Sequence, residues 1–220
     1  MFFSLLFSDP FLAVAWVVAV LSAITIHEFS HAMMANFRGD HTAEAAGRLT
    51  LNPLSHIDIV GFIAFLLIGY GWAKPVPFNP YKLKNTRWDG ILVAFAGPFS
   101  NLLLSIVAAF LLRALLGAEI IALDNLLVFF LYLVIILNLG LLFFNLIPLP
   151  PLDGSKVWHA VFDTFLHNPQ LGQLIEQRGQ LVLMALIFLS FAGINIFFFL
   201  DFFVNKTAGF LLGPLQTMFF

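Results

Sequence analysis

The sequence predicts an all-α polytopic membrane protein, folded as a single membrane-embedded domain over residues 1–220. Hydrophobic residues make up 61% of the chain and charged residues only 10%, and the mean hydropathy is +0.98. A soluble domain of this size does not have such a balance. In addition, four apolar segments reach the roughly 20 residues that a membrane span needs.

We expect long transmembrane helices at about residues 11–36, 91–116, 125–147 and 181–204. A fifth apolar stretch, Ile59 to Trp72, has about 14 residues and contains three glycines. It is short for a crossing, so a re-entrant or short helical element is favoured. The segment before it, residues 46–58, mixes Gly, Thr, Asn and Pro, and predicts a small extended region after the first long helix.

Basic residues indicate the orientation in the membrane. If Ile59–Trp72 does not cross, only Arg113 and Lys206 lie on one side, and the other basic residues share the opposite side. By the positive-inside rule that side is cytoplasmic. If the stretch did cross, the later spans would be inverted. The residues on the predicted cytoplasmic side are Arg38, Arg48, Lys74, Lys82, Lys84, Arg87, Lys156 and Arg178.

Charge and cysteine content exclude several functions. The formal net charge is −2, which gives no sign of nucleic-acid binding. The chain has no cysteine, so disulfides, thiolate nucleophiles and cysteine-based metal sites are excluded.

The segment HEFSH near the end of the first span carries His27, Glu28 and His31. At helical spacing the two imidazoles lie one turn apart on one face and can reach one metal ion. Glu28 is angularly offset, where its carboxylate can act as a base on water. No charged residue precedes the motif from Phe11 to Ile26, so it lies about 24 Å into a layer roughly 30 Å thick. The remaining alternatives are a structural His–Glu network between helices and coincidence.

A catalytic zinc usually takes three protein ligands, so a third must come from elsewhere. Asp153 is favoured because it follows a helix-ending proline cluster at the predicted cytoplasmic face, beside a flexible Gly154. His56 lies either near the site or in a loop or interface without a role there. The candidates are His41, His56, Asp153, His159, Asp163, His167, Glu176 and Asp201.

HEFSH, AGPFSN (Ala96–Asn101) and NLIPLPPLDG (Asn145–Gly154) together resemble the site-2 protease, or M50, family of intramembrane metalloproteases. AGRLTLNPLSHID and GWAKPVPFNP are similar to its compact prokaryotic branch, and neither a PDZ-like insertion nor a CBS-like tail is seen. The resemblance covers roughly residues 20 to 160. Within AGPFSN, we expect Gly97-Pro98 to allow close helix packing and a kink, and Asn101 to make an interhelical hydrogen bond rather than act directly.

The resemblance implies one Zn²⁺ per chain, bound by His27, His31 and Asp153, with Glu28 as the general base. It also implies that Asn145 contacts the substrate backbone or the developing oxyanion. The catalytic core would cover about residues 11–160, followed by the C-terminal span at 181–204. The expected substrates are transmembrane proteins in a lipid bilayer, cleaved in or near their membrane segments.

The expected location is a bacterial or archaeal cytoplasmic membrane, with the active site toward the cytoplasmic side. His56 is a further candidate for substrate binding. The alternative function is a membrane zinc-binding transporter or a catalytically inactive scaffold. Glu28 argues against that alternative, because zinc transport would not need a base at this position.

Overall fold

A computed structural model describes residues 7–68, 71–161 and 169–218. Helices are the regular elements of this part of the chain, and the predicted all-α fold is confirmed. The helices are α1 Pro10–Phe37, α2 Thr42–Ala45, α3 Ile59–Ile68, α4 Thr86–Gly117, α5 Leu126–Asn145, α6 Asp153–Val161, α7 Pro169–Phe191 and α8 Phe198–Leu212. Short 3-10 turns lie at Pro53–Ser55, Pro80–Lys82 and Gly213–Met218.

Within the described ranges, four helical stretches are long and apolar enough to cross a membrane. They are Pro10–Phe37, Trp88–Gly117, Leu126–Asn145 and Gln173–Phe191. The first three agree within a few residues with the spans expected at 11–36, 91–116 and 125–147. The chain is therefore a multi-pass membrane protein, as its composition predicts.

Helices α1, α4 and α5 form the central bundle. His31 lies beside Val93 and His27 beside Asn101, so α4 runs antiparallel to α1. A short loop reverses the chain again, and Asn101 reaches Asn138 of α5. Small residues at these interfaces let the helix backbones approach closely. The buried alanines include Ala19, Ala23, Ala94, Ala108 and Ala109.

Polar side chains begin and align these helices. Asp9 caps α1, Asn85 caps α4 and Asn125 caps α5, and each accepts hydrogen bonds from backbone N–H groups of the first turn. Such caps satisfy donors that have no partner within the helix. At the other end of α1, Arg38 donates from Nε to buried Asp89 of α4 at 2.7 Å. This pair holds the end of α1 beside the start of α4.

The segment around α3 enters and leaves on the same side of the bundle. Ile57 and Ala73 form an antiparallel β-bridge, so the chain returns to the point from which it started. Between them, α3 packs on α1, where the rings of Phe65 and Trp16 stack with centroids 5.1 Å apart. The segment is therefore re-entrant, as its short length predicts.

The loop before α3 is irregular and held by side-chain bonds to backbone. Buried Arg48 donates to the carbonyl oxygen of Lys74 at 2.6 Å, and buried Asp40 accepts from the N–H of Asn79 at 2.6 Å. Across the residues that the structure describes, β-pairing is limited to the bridge at Ile57. That bridge is what corresponds to the predicted small extended region.

The single span expected at 181–204 is wrong in its bounds. Helix α7 ends at Phe191, and α8 begins only at Phe198. Gly193 adopts φ +89°, and its N–H and that of the next residue donate to carbonyl oxygens of the last turn of α7. This is a glycine C-cap, which ends a helix because the left-handed backbone turns the chain away.

Helix α8 runs back along α5 as a separate element. Phe197 contacts Phe144 near the end of α5, with ring centroids 5.9 Å apart. At the other end, the carbonyl oxygen of Leu211 accepts a hydrogen bond from Arg113 at 3.1 Å. Asp201, in the first turn of α8, therefore lies toward the end of α5. A single span at 181–204 would have placed it at the opposite end of the bundle.

Replacing Gly61 by alanine should destabilise the re-entrant segment. A methyl group there would lie far inside van der Waals contact with the carbonyl oxygen of Trp72. Overpacking of this kind costs about 1–3 kcal/mol, measurable as a lower unfolding midpoint in detergent by tryptophan fluorescence. Gly90→Ala is the matched control, because a methyl group there meets nothing within 4 Å and alanine favours helix. Equal midpoints for the two variants would contradict the close packing of α3.

Candidate metal centre

His27 and His31 lie one turn apart on α1 and are buried against α4, with only 6% and 8% of their surface exposed. Their Nε2 atoms are 3.0 Å apart, and the rings meet edge to face. By helical rise, the pair is about 26–32 Å from the start of α1 and about 9–15 Å from its end. The two imidazoles therefore share one place inside the bundle, displaced toward the end of α1.

Asp153 brings a carboxylate to the same place. Its Oδ2 lies 3.1 Å from Nε2 of His27 and 3.2 Å from Nε2 of His31. Asp153 is the first residue of α6, and α5 ends at Asn145, before the proline-rich turn. The three side chains that the sequence favours as ligands thus converge, although Asp153 is 126 residues away from His27.

Close packing of the proline-rich turn positions Asp153. A methyl group on Gly154 would lie 2.5 Å from the carbonyl carbon and oxygen of Leu146. The glycine therefore lets the start of α6 sit directly on the end of α5. Gly154 is needed here because it has no side chain, and not for the flexibility expected from the sequence.

Helix α4 forms the wall behind the two imidazoles. A methyl group on Gly97 would clash with Nε2 of His31 and lie 2.7 Å from Cε1 of His27. The next residue, Pro98, is fully buried inside the helix and has no N–H to donate. Gly97-Pro98 thus allows the close packing expected from the sequence. The groups that pack against α4 at this position are the rings of His27 and His31.

The ring hydrogen bonds direct Nε2 of His31 toward the cluster. Nδ1 of His31 lies 2.7 Å from the carbonyl oxygen of Val93. Because a carbonyl oxygen can only accept, Nδ1 carries the hydrogen and Nε2 presents a lone pair. On the other ring, Nδ1 of His27 lies 2.6 Å from Oδ1 of Asn101.

The donor set fits a zinc ion. Two Nε2 atoms and one carboxylate oxygen lie 3.0–3.2 Å from one another, and atoms that all offer lone pairs repel unless a cation lies between them. Zinc with bonds of about 2.0–2.2 Å in tetrahedral geometry separates its ligand atoms by about 3.3–3.5 Å. His27, His31 and Asp153 therefore form a cluster that could hold a metal ion, with the ligand number typical of catalytic zinc.

Comparison with known families decides what kind of protein this is. A model described as peptidase family M50 matches residues 15–190, well over half of the chain. The chain belongs to peptidase family M50. The resemblance drawn from HEFSH, AGPFSN and NLIPLPPLDG is thereby confirmed.

Relatives of this M50 family member are found in bacteria and archaea. "Putative zinc metalloprotease YwhC" of Bacillus subtilis is 45% identical over 148 residues, which cover 64% of this chain and 66% of YwhC. Rip2 of Mycolicibacterium smegmatis is 30% identical over 176 residues, covering 76% of this chain and 64% of Rip2. MJ0611 of Methanocaldococcus jannaschii is 29% identical over 160 residues, covering 72% of this chain and 77% of MJ0611. Rip2 and MJ0611 carry the same description as YwhC.

The matched stretch is just under two thirds of the length of YwhC and of Rip2. No solved structure matches the chain. The family and the names of these relatives support the prediction of a zinc metalloprotease.

Glu28 of this M50 family member is half-buried beside the ring pair. Its carboxylate makes no hydrogen bond to any residue that the structure describes. A carboxylate next to His27 that forms no hydrogen bond to the described residues is available to a water molecule. Its role as general base stays a prediction.

Asn145 and His56 lie in different surroundings. Asn145 is the last residue of α5, is half-buried, and donates from Nδ2 to the carbonyl oxygen of Leu141 at 3.1 Å. His56 is fully buried in the loop before α3, with Nε2 2.8 Å from the carbonyl oxygen of Thr50. Contact of either residue with substrate stays a prediction.

The other candidates for third ligand do not join the cluster where the structure describes them. His41 is exposed and pairs with Glu44, with Nδ1 and Oε2 2.9 Å apart. His56, Glu176 and Asp201 are likewise not part of the described His–His–Asp cluster. Asp163, His167 and the side chain of His159 lie outside the described residues.

Sequence reasoning missed Asn138 and Val93 as supports of the site, and did not identify the partner of Asn101 as a histidine. Asn101 makes the expected interhelical bonds and also contacts His27. Asn138 could have been noticed as a polar residue inside an apolar span, which signals a specific role. Val93 contributes only its backbone carbonyl, so its side chain gives no signal.

Gly97→Ala should displace the imidazole pair and lower the zinc content of the purified protein. The added methyl group would occupy space held by Nε2 of His31. Zinc per chain, measured by elemental mass spectrometry, should fall well below that of the wild type. Gly140→Ala is the control, because a methyl group at that position of α5 meets nothing within 4 Å. Normal zinc content in Gly97→Ala would contradict this role of the glycine.

Proposed function

We propose that the chain is an intramembrane zinc metalloprotease that hydrolyses peptide bonds in or near transmembrane segments of membrane proteins. One observation carries the proposal: two imidazoles and a carboxylate from distant parts of the chain meet inside an apolar helix bundle. Ionisable groups are costly within a membrane and are usually functional there. Membership of a peptidase family supports the same activity.

The proposed ligands are His27, His31 and Asp153, holding one zinc ion per chain. When bound, zinc supplies a Lewis acid that acidifies water and polarises a peptide carbonyl. The bonds that orient the two rings are typical of metal sites, because they fix which nitrogen faces the metal. These contacts support the ligand assignment.

Glu28 is the proposed general base. Its carboxylate would take a proton from the attacking water and pass it to the nitrogen of the leaving amine. Two features support this role: Glu28 directly follows His27, and no described residue engages its oxygens. A base that is already paired within the protein would have to give up that bond before each turnover.

The substrate must unwind locally before cleavage, because a helix hides its peptide carbonyls in hydrogen bonds to N–H groups four residues away. Asn145 ends α5 in the chain segment that leads to Asp153, and its Nδ2 bond leaves the amide oxygen without a described partner. We infer that this amide contacts the unwound substrate backbone or the developing oxyanion. His56 is a second candidate for substrate contact, through the loop before α3.

The active site is inferred to lie toward the cytoplasmic side of a bacterial or archaeal cell membrane. Because the segment around α3 returns through the Ile57–Ala73 bridge, Lys74 lies on the same side as Arg38. Most basic residues then share the side toward which the metal centre is displaced. The positive-inside rule assigns that side to the cytoplasm.

Glu28→Gln should retain zinc and abolish cleavage. The amide cannot accept the proton, and loss of a general base typically costs about 10²–10⁴-fold in rate. The measurement is cleavage of a membrane-embedded reporter together with zinc content, in detergent or vesicles. Glu44→Gln is the control, since its exposed carboxylate lies in α2, outside the cluster. Unchanged cleavage by Glu28→Gln would refute the assignment.

Asp153→Ala should lower zinc occupancy, because the cluster loses its only carboxylate. Asp201→Ala is the matched control: it removes a carboxylate near the end of α5 that does not belong to the cluster. Zinc per chain is the measurement for both variants. Normal occupancy in Asp153→Ala would move the third ligand elsewhere. A wild-type chain that binds zinc but cleaves no membrane-embedded reporter would favour a transporter or scaffold.

A further inference from the structure

A continuous chain of hydrogen bonds runs from His27 across the bundle. Nδ1 of His27 lies 2.6 Å from Oδ1 of Asn101, and Nδ2 of Asn101 donates to Oδ1 of Asn138 at 2.6 Å. Both asparagines are fully buried, with no exposed surface. These hydrogen bonds join α1, α4 and α5 in a region where water does not compete for them.

The side-chain amide of Asn138, at the end of this series of hydrogen bonds, has a fixed orientation. Nδ2 of Asn138 donates to the carbonyl oxygen of Val134 at 2.7 Å. A backbone carbonyl can only accept, so the amide nitrogen must face it. Rotating the amide by half a turn would set two oxygen atoms against each other without a hydrogen between them. The amide oxygen of Asn138 is therefore directed at Asn101.

The orientation of Asn101 follows from two acceptors. Its Nδ2 lies 3.2 Å from the carbonyl oxygen of Ala23 and 2.6 Å from Oδ1 of Asn138. Both partners need a donor, and the amide nitrogen is the only donor that Asn101 has. Its oxygen is thereby left for His27. The backbone carbonyls of Ala23 and Val134 thus determine that the ring of His27 meets Oδ1 of Asn101.

We propose that Asn101 and Asn138 are positioning residues that hold His27 in the Nδ1–H tautomer and so keep the lone pair of Nε2 in the metal cluster. Oδ1 of Asn101 can only accept, so the ring nitrogen facing it must donate. This inference rests on the proposed zinc site, because the tautomer matters only if Nε2 binds the metal. The carbonyl oxygen of Val93 holds His31 in the same Nδ1–H tautomer.

Helix association alone is the competing explanation for the two asparagines, because polar side chains bond across membrane helices. Ser105 provides the comparison. It is fully buried on α4, one turn beyond Asn101, and its hydroxyl is shared between the backbone carbonyl oxygen of Asn101 at 3.0 Å and that of Ile135 on α5 at 3.3 Å. Its side chain also joins α4 to α5 but has no bond to a histidine. Ser105→Ala therefore removes a bond to α5 but leaves the side-chain amide of Asn101, and with it the bonds that set the tautomer, in place.

The first test is spectroscopic and reads the tautomer in the wild-type chain, with one variant used only to assign the signal. Nitrogen-15 NMR of histidine-labelled, metal-free protein distinguishes protonated from unprotonated ring nitrogens, and loss of a signal in His27→Gln assigns that ring. Oδ2 of Asp153, 3.1 Å from Nε2 of His27, competes for the same hydrogen. At a pH where the ring is neutral, we expect the shorter contact with Asn101 to keep the hydrogen on Nδ1. A hydrogen on Nε2 of His27 would overturn the proposal, whatever the variants show.

The second test measures the dissociation constant for zinc by competition with a chelator. Loss of a partner that orients a metal ligand typically weakens metal binding about 10–100-fold. We expect this loss for Asn101→Leu and Asn138→Leu, together with a mixture of tautomers at His27. Ser105→Ala should bind zinc and keep its tautomer as the wild type does. The alanine variants of both asparagines replace the leucine variants if those do not fold.

The outcomes distinguish the role of the two asparagines from the proposed zinc protease activity. Equal weakening in all three variants, with unchanged tautomer, would show that the asparagines only join helices. Weakening in Asn101→Leu but not in Asn138→Leu would end the role assigned to Asn138. If the wild-type chain bound no zinc at all, the proposed protease would fail, while the tautomer in metal-free protein would still test the orientation of His27.

Discussion

Burial of three lone-pair donors at one point is the constraint on which this structure depends. His27, His31 and Asp153 meet where lipid cannot satisfy them, so the polar atoms must be paired within the protein and the carboxylate charge must be balanced. The imidazoles come from one helix, and the carboxylate comes from the turn after another. The packing of the bundle is arranged so that these atoms point at one another.

Helix α4 contributes no side chain to the described His–His–Asp cluster, yet it contacts both imidazoles. Val93, Gly97 and Asn101 are spaced four residues apart and therefore lie along one stripe of the helix. The first accepts a hydrogen bond from one ring, the second leaves room for both rings, and the third contacts the other ring. The register of α1 against α4 is fixed further along by the Arg38–Asp89 pair. A slip of one residue between these helices would spoil all of these contacts together.

Much of the fold and the side chains that converge at the cluster could be predicted, because hydropathy and motif spacing are local signals. The HEFSH spacing puts two imidazoles on one helix face, and the prolines before Asp153 end α5 where the carboxylate is needed. The break at Gly193 was missed because hydropathy stays high on both sides of it, although a glycine followed by an apolar residue is a usual helix C-cap. The contact with Val93 had no signal in the sequence, since it is made by backbone.

The distance along the chain between the ligands has a consequence for biosynthesis. The imidazoles leave the ribosome with the first core helix, whereas the carboxylate follows only after the third, 126 residues behind His27. Until that turn is made and packed, the nascent chain holds only the two imidazoles of the proposed ligand set. If these residues hold zinc as proposed, its capture is a late event in biosynthesis, and a partly synthesised chain in the membrane carries no complete centre.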